Sequence, residues 1–365
     1  MLFISSFLVV SMKTIQEVKK EVMDFLELKK AKKVLLVVDD DEDGMTSAFQ
    51  MKKFLEESEQ KVTLHFNEKR SIAPGAINEE EEFLELVKSD DSKLIIFCDL
   101  NEEIASQKLG LIDSKIKVLI IDHHPTPKEF LIKNELMVVK PGDFSNKTPA
   151  NYSATKVIFD LFNIDAIAAL IGVVGDSSLG DWEEFGEKIM QENSVSLEQV
   201  TRLANVIKSI VSNYGSRKKE LFEFVYEKGS FVSLLGSEYE ELAKQFEELI
   251  ESERKRYSTD LEKEKDVELV FFETKKGLPS KLSNVLSKEN KETLIVYSKS
   301  DYIKGSVRRA DFKVDSGALI KYAIMNSKLA KGGGHIPAGG FSCPADYFDE
   351  FKSRAAEFMK IQNTN

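Results

Sequence analysis

Short aliphatic runs alternate with amphipathic stretches through the first part of the chain. The runs are KVLLVV, VTLHF, KLIIF, KVLII and LMVV, which begin at Lys33, Val62, Lys93, Lys117 and Leu136. Runs that are apolar throughout are typical of parallel strands buried on both faces. Between them, residues 45–57 and 77–89 repeat apolar positions every three or four residues, as helices with one packed face do. The pattern predicts a doubly wound α/β domain built around a parallel sheet.

After Asn151 the periodicity becomes helical, and we expect these helices to complete the first domain. A charged segment with sparse apolar positions then predicts an exposed connecting helix, and a second strand and helix alternation starts at Val267. We therefore predict a smaller second α/β domain. The predicted boundaries are 1–32 for an N-terminal segment, 33–236 for the first domain, 237–264 for the connecting helix and 265–365 for the second domain.

Composition limits the classes of function that the chain can have. It has 365 residues with 62 acidic against 51 basic side chains, a net charge of −11, which argues against coating nucleic acid by bulk electrostatics. A polyanionic substrate would need a local basic patch or bound cations. Cys98 and Cys343 are too few for a disulfide framework, so we expect reduced thiols and a cytoplasmic protein.

The first ten residues are apolar, but they lack a basic start and fall short of the roughly 20 residues that span a bilayer. We expect no membrane association. The segment is either a docking strand or precedes the true start at Met12.

Acidic and histidine side chains collect where strands and one helix are predicted to end. They are Asp39 to Asp43 after the first run, Asp99 after the third, Asp122, His123 and His124 after the fourth, and Asp176 after the apolar helix 165–175. The carboxyl ends of parallel strands meet at one edge of a sheet, where ligands bind. Crowded carboxylates need protons or cations between them, and hard divalent ions prefer oxygen ligands. An acidic turn that caps the next helix would explain residues 39–43 alone, but not the whole set.

This pattern resembles the DHH phosphoesterase superfamily. Asp39 stands where many members have histidine, as in the RecJ exonuclease branch. In the second domain, GGGHIPAGG at 332–340 and Ser306-Val307-Arg308 resemble the glycine-rich and strand motifs of the DHH-associated domain. We expect the glycine-rich segment to be a loop whose backbone N–H groups approach a phosphate. Two features depart from the family: Leu100 and Asn101 follow Asp99 in place of a glycine, and no nucleic-acid-binding β-barrel is evident.

The resemblance implies a site for two divalent cations, Mn²⁺ or Mg²⁺. Asp39 and Asp41 would hold one ion, Asp43, His123 and Asp176 the other, and Asp99 would bridge both. Such a pair of ions acidifies a water and stabilises charge on phosphate oxygens. His124 would contact the scissile phosphate, and Asp122 would orient the neighbouring imidazoles.

The resemblance also implies a phosphate-binding site in the second domain and an active site in the cleft between the two domains. Its residues would be Ser306, Arg308, Gly333, Gly334 and His335, with Arg309 as an alternative to Arg308. Ser153 fits either a position near the site or a helix N-cap, and Trp182 either a base-stacking residue or a partly buried anchor.

By this resemblance the leading hypothesis is a RecJ-like exonuclease that acts on single-stranded DNA or RNA in repair or replication. A nanoRNase or nucleotide phosphatase would use the same ions on short substrates, and the acidic charge favours that reading slightly. The alternative that is not an enzyme is a scaffold protein of the replisome. Catalytically inactive members of the superfamily lose metal ligands, whereas this chain keeps each proposed ligand. Docking of an active nuclease onto a replication complex such as GINS remains compatible with each reading.

Overall fold

The five apolar runs form one parallel sheet. The structure is a computed structural model that describes residues 12–27, 32–67, 79–90, 92–110, 115–127, 129–264 and 267–364. The strands are β1 (Lys33–Asp39), β2 (Lys61–Asn67), β3 (Leu94–Cys98), β4 (Lys117–Ile121) and β5 (Leu136–Val139). They lie in the order β2-β1-β3-β4-β5, with parallel pairing throughout. The predicted parallel sheet is confirmed.

Helices cover both faces of this sheet because alternate strand residues point to opposite sides. The helices are α1 (Ile15–Leu26), α2 (Glu42–Glu57), α3 (Glu79–Asp90), α4 (Glu102–Leu109), α5 (Ala154–Phe162), α6 (Ala166–Gly175), α7 (Glu183–Asn193), α8 (Leu197–Asn213) and α9 (Lys218–Lys228). Leu36 of β1 packs in a core with α2, α5, α6 and α8. Leu35 packs in a separate core with α3 and α4 on the other face. Helix α6 is apolar almost throughout and is buried accordingly.

A long charged helix, α10 (Glu238–Asp260), leads into the smaller second domain. Its six-stranded sheet has the order β10-β11-β9-β8-β7-β6. The elements are β6 (Glu262–Glu264), β7 (Leu269–Glu273), α11 (Pro279–Ser287), β8 (Thr293–Ser298), β9 (Tyr302–Arg308), α12 (Ser316–Ile324), β10 (Lys331–His335), β11 (Ala338–Pro344) and α13 (Phe348–Thr364). The glycine-rich segment, expected as a loop, is the antiparallel hairpin of β10 and β11.

Of the described residues, those up to Ala243 form one compact unit and those from Lys244 form another. Each unit has its own hydrophobic core. In the described part of the chain, no helix is long and apolar enough to cross a membrane. Cys98 and Cys343 are free and buried. The predicted docking strand at residues 1–10 lies outside the described residues.

Candidate metal centre

Three strands of the first sheet each have a carboxylate at or directly after their carboxyl end. Asp39 ends β1, Asp99 follows the last residue of β3, and Asp122 follows the last residue of β4. The register pairs Val38 with Cys98, and Cys98 with Ile121, so the three acids lie side by side at the carboxyl edge. The sequence predicted this edge, because parallel strands of one sheet end on the same side.

The N-cap and the first turn of α2 add two more carboxylates. Asp41 is the N-cap of α2 and accepts a hydrogen bond from the Gly44 N–H at 3.0 Å, so the helix-capping interpretation is correct for this residue. Asp43 is buried, and its two oxygens accept the N–H groups of Ala154 at 2.6 Å and Thr155 at 2.9 Å, at the start of α5. Asp43 is therefore held in place from a helix that lies more than 100 positions later in the chain.

Asp176 reaches the same edge from the carboxyl end of α6. Nε2 of His123 lies 3.3 Å from Oδ1 of Asp99 and 3.7 Å from Oδ2 of Asp176. Burial and the neighbouring His124 lower the pKa of His123, which favours the neutral imidazole that binds metal ions. The glycine at 172 lets α6 approach, since a Cβ there would lie 2.9 Å from Oδ1 of Asp43.

Ligand atoms converge in three groups among the described residues. Within each group the atoms lie within 4.8 Å of one another: Asp39, Asp41 and Asp99; Asp43, His123 and Asp176; Asp99, His123 and His124. Asp99 belongs to two of these groups. This geometry brings together all six residues that the sequence proposed as metal ligands.

The electrostatics of the cluster fit a bound cation. Burial and the charge of Asp176 raise the pKa of Asp43, and burial and the charge of Asp43 raise that of Asp99. Burial, followed by the charge of Asp41, raises the pKa of Asp176 to about 7. Among the described residues, no lysine or arginine is within ion-pair distance of Asp99 or Asp176. The buried Oδ1 of Asp99 and the buried Oδ2 of Asp176 accept no hydrogen bond from these residues. Oxygen-rich sites of this kind suit hard divalent ions.

His124 is oriented by an acid and a lysine. Its Nδ1 lies 2.8 Å from Oδ1 of Asp122, and its backbone N–H donates to Oδ2 at 3.1 Å. The hydrogen bond to Asp122 raises the pKa of His124. Burial alone would raise the pKa of Asp122. The hydrogen bond from His124 and the charge of Lys140 outweigh burial, so the pKa of Asp122 is lowered. Asp122 therefore contacts His124 in the structure, while His123 faces Asp99 and Asp176.

Lys140 is a residue of this site that the sequence analysis missed. It follows β5, and its Nζ lies 3.0 Å from Oδ2 of Asp122, 3.0 Å from Oε2 of Glu102 and 2.6 Å from the carbonyl oxygen of His124. No local motif marks it, because its partners come from β4 and α4. The only signal was a lysine at the end of a predicted strand.

Two weaker candidates near the site have structural surroundings. Ser153 is fully buried at the N-cap position of α5, but its side chain makes no capping bond. Trp182 donates from Nε1 to the Asn151 carbonyl at 2.8 Å, and Lys156 lies 4.1 Å from the centre of its ring. These contacts favour the reading of Trp182 as a partly buried anchor.

In the second domain, the two adjacent arginines have different surroundings. Arg309 is buried and pairs with Asp311 at 2.7 Å and with Glu268 at 2.9 Å. Arg308 makes no ion pair among the described residues, its buried Nε lacks a hydrogen-bond partner, and burial lowers its pKa. The structure therefore favours Arg308 over Arg309 as the residue that is available to an anion.

The glycines of the hairpin mainly allow close packing. A Cβ on Gly332 would lie 2.6 Å from the side chain of Ile320 in α12, and one on Gly334 would lie 2.4 Å from the Ala338 carbonyl oxygen. Gly333 has open space around it and His335 is exposed, so these two remain accessible. Ser306 is buried, accepts a hydrogen bond from Ser283 at 3.0 Å and donates to the Gly339 carbonyl at 3.3 Å.

Comparison with known proteins agrees with this geometry. Residues 33–175 match the sequence model of the DHH family, N-terminal domain. The fold is similar to that of exonuclease RecJ bound to manganese, with a TM-score of 0.74 and 16% identity, over 96% of this chain and 95% of that chain. None of the curated proteins compared with the chain matches it in sequence.

Two further structures share the fold. RecJ from Thermus thermophilus in complex with Mn²⁺ has a TM-score of 0.63 and 17% identity, over 96% of this chain but 55% of that one. CDC45 from Entamoeba histolytica has a TM-score of 0.58 and 11% identity, over 95% of this chain and 98% of that chain. At these identities the likeness concerns the fold.

Proposed function

Because residues 33–175 are a DHH family N-terminal domain and the chain folds like RecJ, we propose that it is a metal-dependent phosphodiesterase. Its proposed substrate is single-stranded DNA or RNA, hydrolysed from an end. One observation carries the proposal: of the three groups of ligand atoms at one sheet edge, Asp99 belongs to two and His123 belongs to two. Such sharing suits a pair of neighbouring cations.

We assign the ligands from these groups. Asp39 and Asp41 would hold one ion, and Asp43, His123 and Asp176 the other. Asp99 would belong to both, because it groups with Asp39 and Asp41 and also with His123. Bound Mn²⁺ or Mg²⁺ would acidify the attacking water and stabilise the negative charge that develops on the phosphate oxygens. The hydrogen bonds from α5 fix the Asp43 carboxylate before any cation arrives, which reduces the reorganisation that binding needs.

His124 is our candidate for the residue that contacts the scissile phosphate. Its side chain is 44% exposed, whereas that of His123 is 11% exposed, so His124 is the imidazole that a substrate can reach. Asp122 bonds one ring nitrogen and leaves Nε2 available. Its raised pKa favours the protonated imidazole, in which Nε2 carries an N–H that could be donated to a phosphate oxygen.

In the second domain, we propose that Arg308 and His335 bind a terminal or adjacent phosphate. Both flank Ala338 of β11, which pairs with Arg308 on one side and with His335 on the other. Among the described residues, the Arg308 guanidinium has no acidic partner, and Gly333 of the same sheet has open space where a side chain would stand. Ser306 supports β11 through its bond to Gly339 rather than presenting a free hydroxyl.

A scaffold that lacks catalysis is the second candidate, and the groups of potential metal ligands argue against it. A role beside a replication complex such as GINS is compatible with an active enzyme. The two free, buried cysteines fit a reducing compartment such as the cytoplasm.

Cleavage assays test the proposal directly. The full chain is incubated with Mn²⁺ or Mg²⁺ and with DNA or RNA strands of a few to several tens of nucleotides, labelled at either end. Asp43→Ala removes a proposed ligand, and Asp24→Ala changes an exposed acid in α1 as the matched control. We expect stepwise shortening that needs the metal, is lost in Asp43→Ala and persists in Asp24→Ala.

Each other outcome selects a different function. Degradation limited to strands of a few nucleotides would indicate a nanoRNase, and release of inorganic phosphate from nucleotides would indicate a phosphatase. Inactivity with every cation and substrate would overturn the proposed enzymatic function and favour the scaffold alternative.

A further inference from the structure

Phe312 occupies an unusual backbone conformation in the second domain. It lies in the turn between β9 and α12 with a φ of 60°, in the left-handed region. Bulky side chains rarely adopt this region, because the Cβ comes too close to the following carbonyl oxygen. Such an outlier persists only where surrounding contacts impose it, and it is more common at functional sites than elsewhere.

The surrounding contacts hold this turn firmly. The Phe312 N–H donates to the Arg309 carbonyl at 3.3 Å. The Asp311 carboxylate accepts from the Arg309 side chain at 2.7 Å and from the Lys313 N–H at 3.1 Å. The Asp311 carboxylate therefore fixes the residues on both sides of Phe312, Asp311 itself and Lys313.

The turn also lies against the tip of the glycine hairpin. The Arg309 N–H donates to the Pro337 carbonyl at 3.1 Å, and the Ser316 N–H donates to the Ile336 carbonyl at 3.0 Å. Arg308 and His335 sit at the same end of the sheet, because each pairs with Ala338. Phe312 thus lies at the end of the domain that carries the proposed phosphate-binding groups.

The Phe312 side chain is nevertheless 64% exposed. Among the described residues, no aromatic ring or cation contacts its ring, although many other aromatic side chains of this chain have such partners. Burial of the ring therefore does not explain the backbone strain. An exposed ring on a firmly held turn, at the same end of the domain as an arginine without an ion pair, is an arrangement suited to single strands, in which a base stacks on the ring and a cation holds a phosphate.

We propose that Phe312 stacks on a nucleobase of the strand whose phosphate Arg308 and His335 bind. This inference rests on the proposed function. It adds a residue that contacts the base ring, whereas Arg308 and His335 contact the phosphate. Stacking tolerates every base, so the residue would contribute affinity without sequence preference. Lys313, the next residue in the chain, has a side chain that is 73% exposed and lies 3.7 Å from Asp311, so it is accessible to the phosphates of such a strand.

Equilibrium binding of short oligonucleotides tests the role of the ring. The full chain, carrying Asp43→Asn to prevent cleavage, is titrated with a fluorescent oligothymidylate and with the same strand containing abasic sites. Phe312→Gly is expected to weaken binding of the intact strand by about 5- to 150-fold, the effect of losing one stacked base. Phe312→Trp should keep the affinity, and the difference between the parent and Phe312→Gly should vanish on the abasic strand.

Thermal unfolding of the same variants separates binding from folding. Glycine adopts a φ of 60° freely, so Phe312→Gly should unfold at a higher temperature than the parent while it binds more weakly. Met325→Ala removes another apolar side chain of this domain with the same 64% exposure and should change neither property. A lower unfolding temperature for Phe312→Gly would indicate a structural role and overturn the inference.

The remaining outcomes keep the two proposals apart. Equal affinity of the parent and Phe312→Gly, equal weakening by Met325→Ala, or no binding of nucleic acid at all would overturn the role of Phe312. Active cleavage by the chain alongside any of these results would leave the proposed function intact. Base-dependent binding without cleavage under any cation would support Phe312 stacking and overturn the enzyme.

Discussion

Asp99 is the residue on which the proposed centre depends most. It belongs to two ligand groups and is buried, and burial and the charge of Asp43 raise its pKa. Without a cation, its negative charge therefore destabilises the folded state. Its φ of 60° suits asparagine at least as well as aspartate, so Asp99→Asn tests the charge without new backbone strain.

We expect Asp99→Asn to raise the melting temperature in EDTA and to reduce the stabilisation that Mn²⁺ confers. Cleavage should fall by about 100-fold or more, since the ions contribute several kcal/mol to the transition state. Differential scanning fluorimetry with EDTA or Mn²⁺ and a cleavage assay measure the three effects. Asp24→Asn on the exposed face of α1 is the control. A variant that is less stable in EDTA would show that the fold itself requires the Asp99 charge.

Lys140 gives a second prediction at this scale. Its side chain is 15% exposed and lies between Asp122 and Glu102, which are 0% and 2% exposed. Lys140→Met leaves two buried carboxylates without their cation, which typically costs about 3–5 kcal/mol. Urea unfolding should show that loss. Lys188→Met breaks an exposed pair with Glu192 and should change the unfolding free energy by less than about 1 kcal/mol. Equal effects of the two substitutions would refute the bridging role of Lys140.

At the scale of elements, the strands were predictable and several contacts were not. The runs of the first sheet are continuous because both faces are buried, and their parallel ends predicted that Asp99 and Asp122 would meet Asp39. The contact of Lys140 with Asp122 depends on β5 lying beside β4. Local sequence patterns predict strands but not the order of strands in a sheet, so this contact was not predicted. The β10 and β11 hairpin was read as a loop, since glycines show no alternation of apolar and polar positions.

The contact of α6 with α2 and α5 yields a prediction about helix packing. A Cβ on Gly172 would lie 2.1 Å from Cγ2 of Thr155 and 2.9 Å from Oδ1 of Asp43. Gly172→Ala should therefore push α6 away, lower stability by about 1–3 kcal/mol and weaken Mn²⁺ binding. Isothermal titration and urea unfolding measure both. Gly186→Ala in α7 meets the flexible end of the Leu179 side chain and is the control, with little expected change. Unchanged Mn²⁺ affinity in Gly172→Ala would show that the position of Asp43 does not depend on this contact.

At the scale of the whole molecule, the proposed metal centre and the proposed phosphate-binding residues belong to different compact units. All proposed metal ligands precede Ala243, and the cores of the two units share no residue. A cation that binds the folded first unit should therefore stabilise that unit selectively. The only tryptophan, Trp182, packs against the first core and reports on it alone.

We expect Mg²⁺ to raise the unfolding temperature measured by Trp182 fluorescence. At a concentration 100-fold above the dissociation constant, the stabilisation is about 2.7 kcal/mol. For a domain of this size, that corresponds to a rise of roughly 5–10 °C. Hydrogen exchange of β8 amides in the second unit should not slow to the same extent, and Asp176→Asn should abolish the fluorescence shift. Equal protection of β8 would show instead that the two units unfold as one cooperative body, because stabilisation of one unit would then be shared by the other.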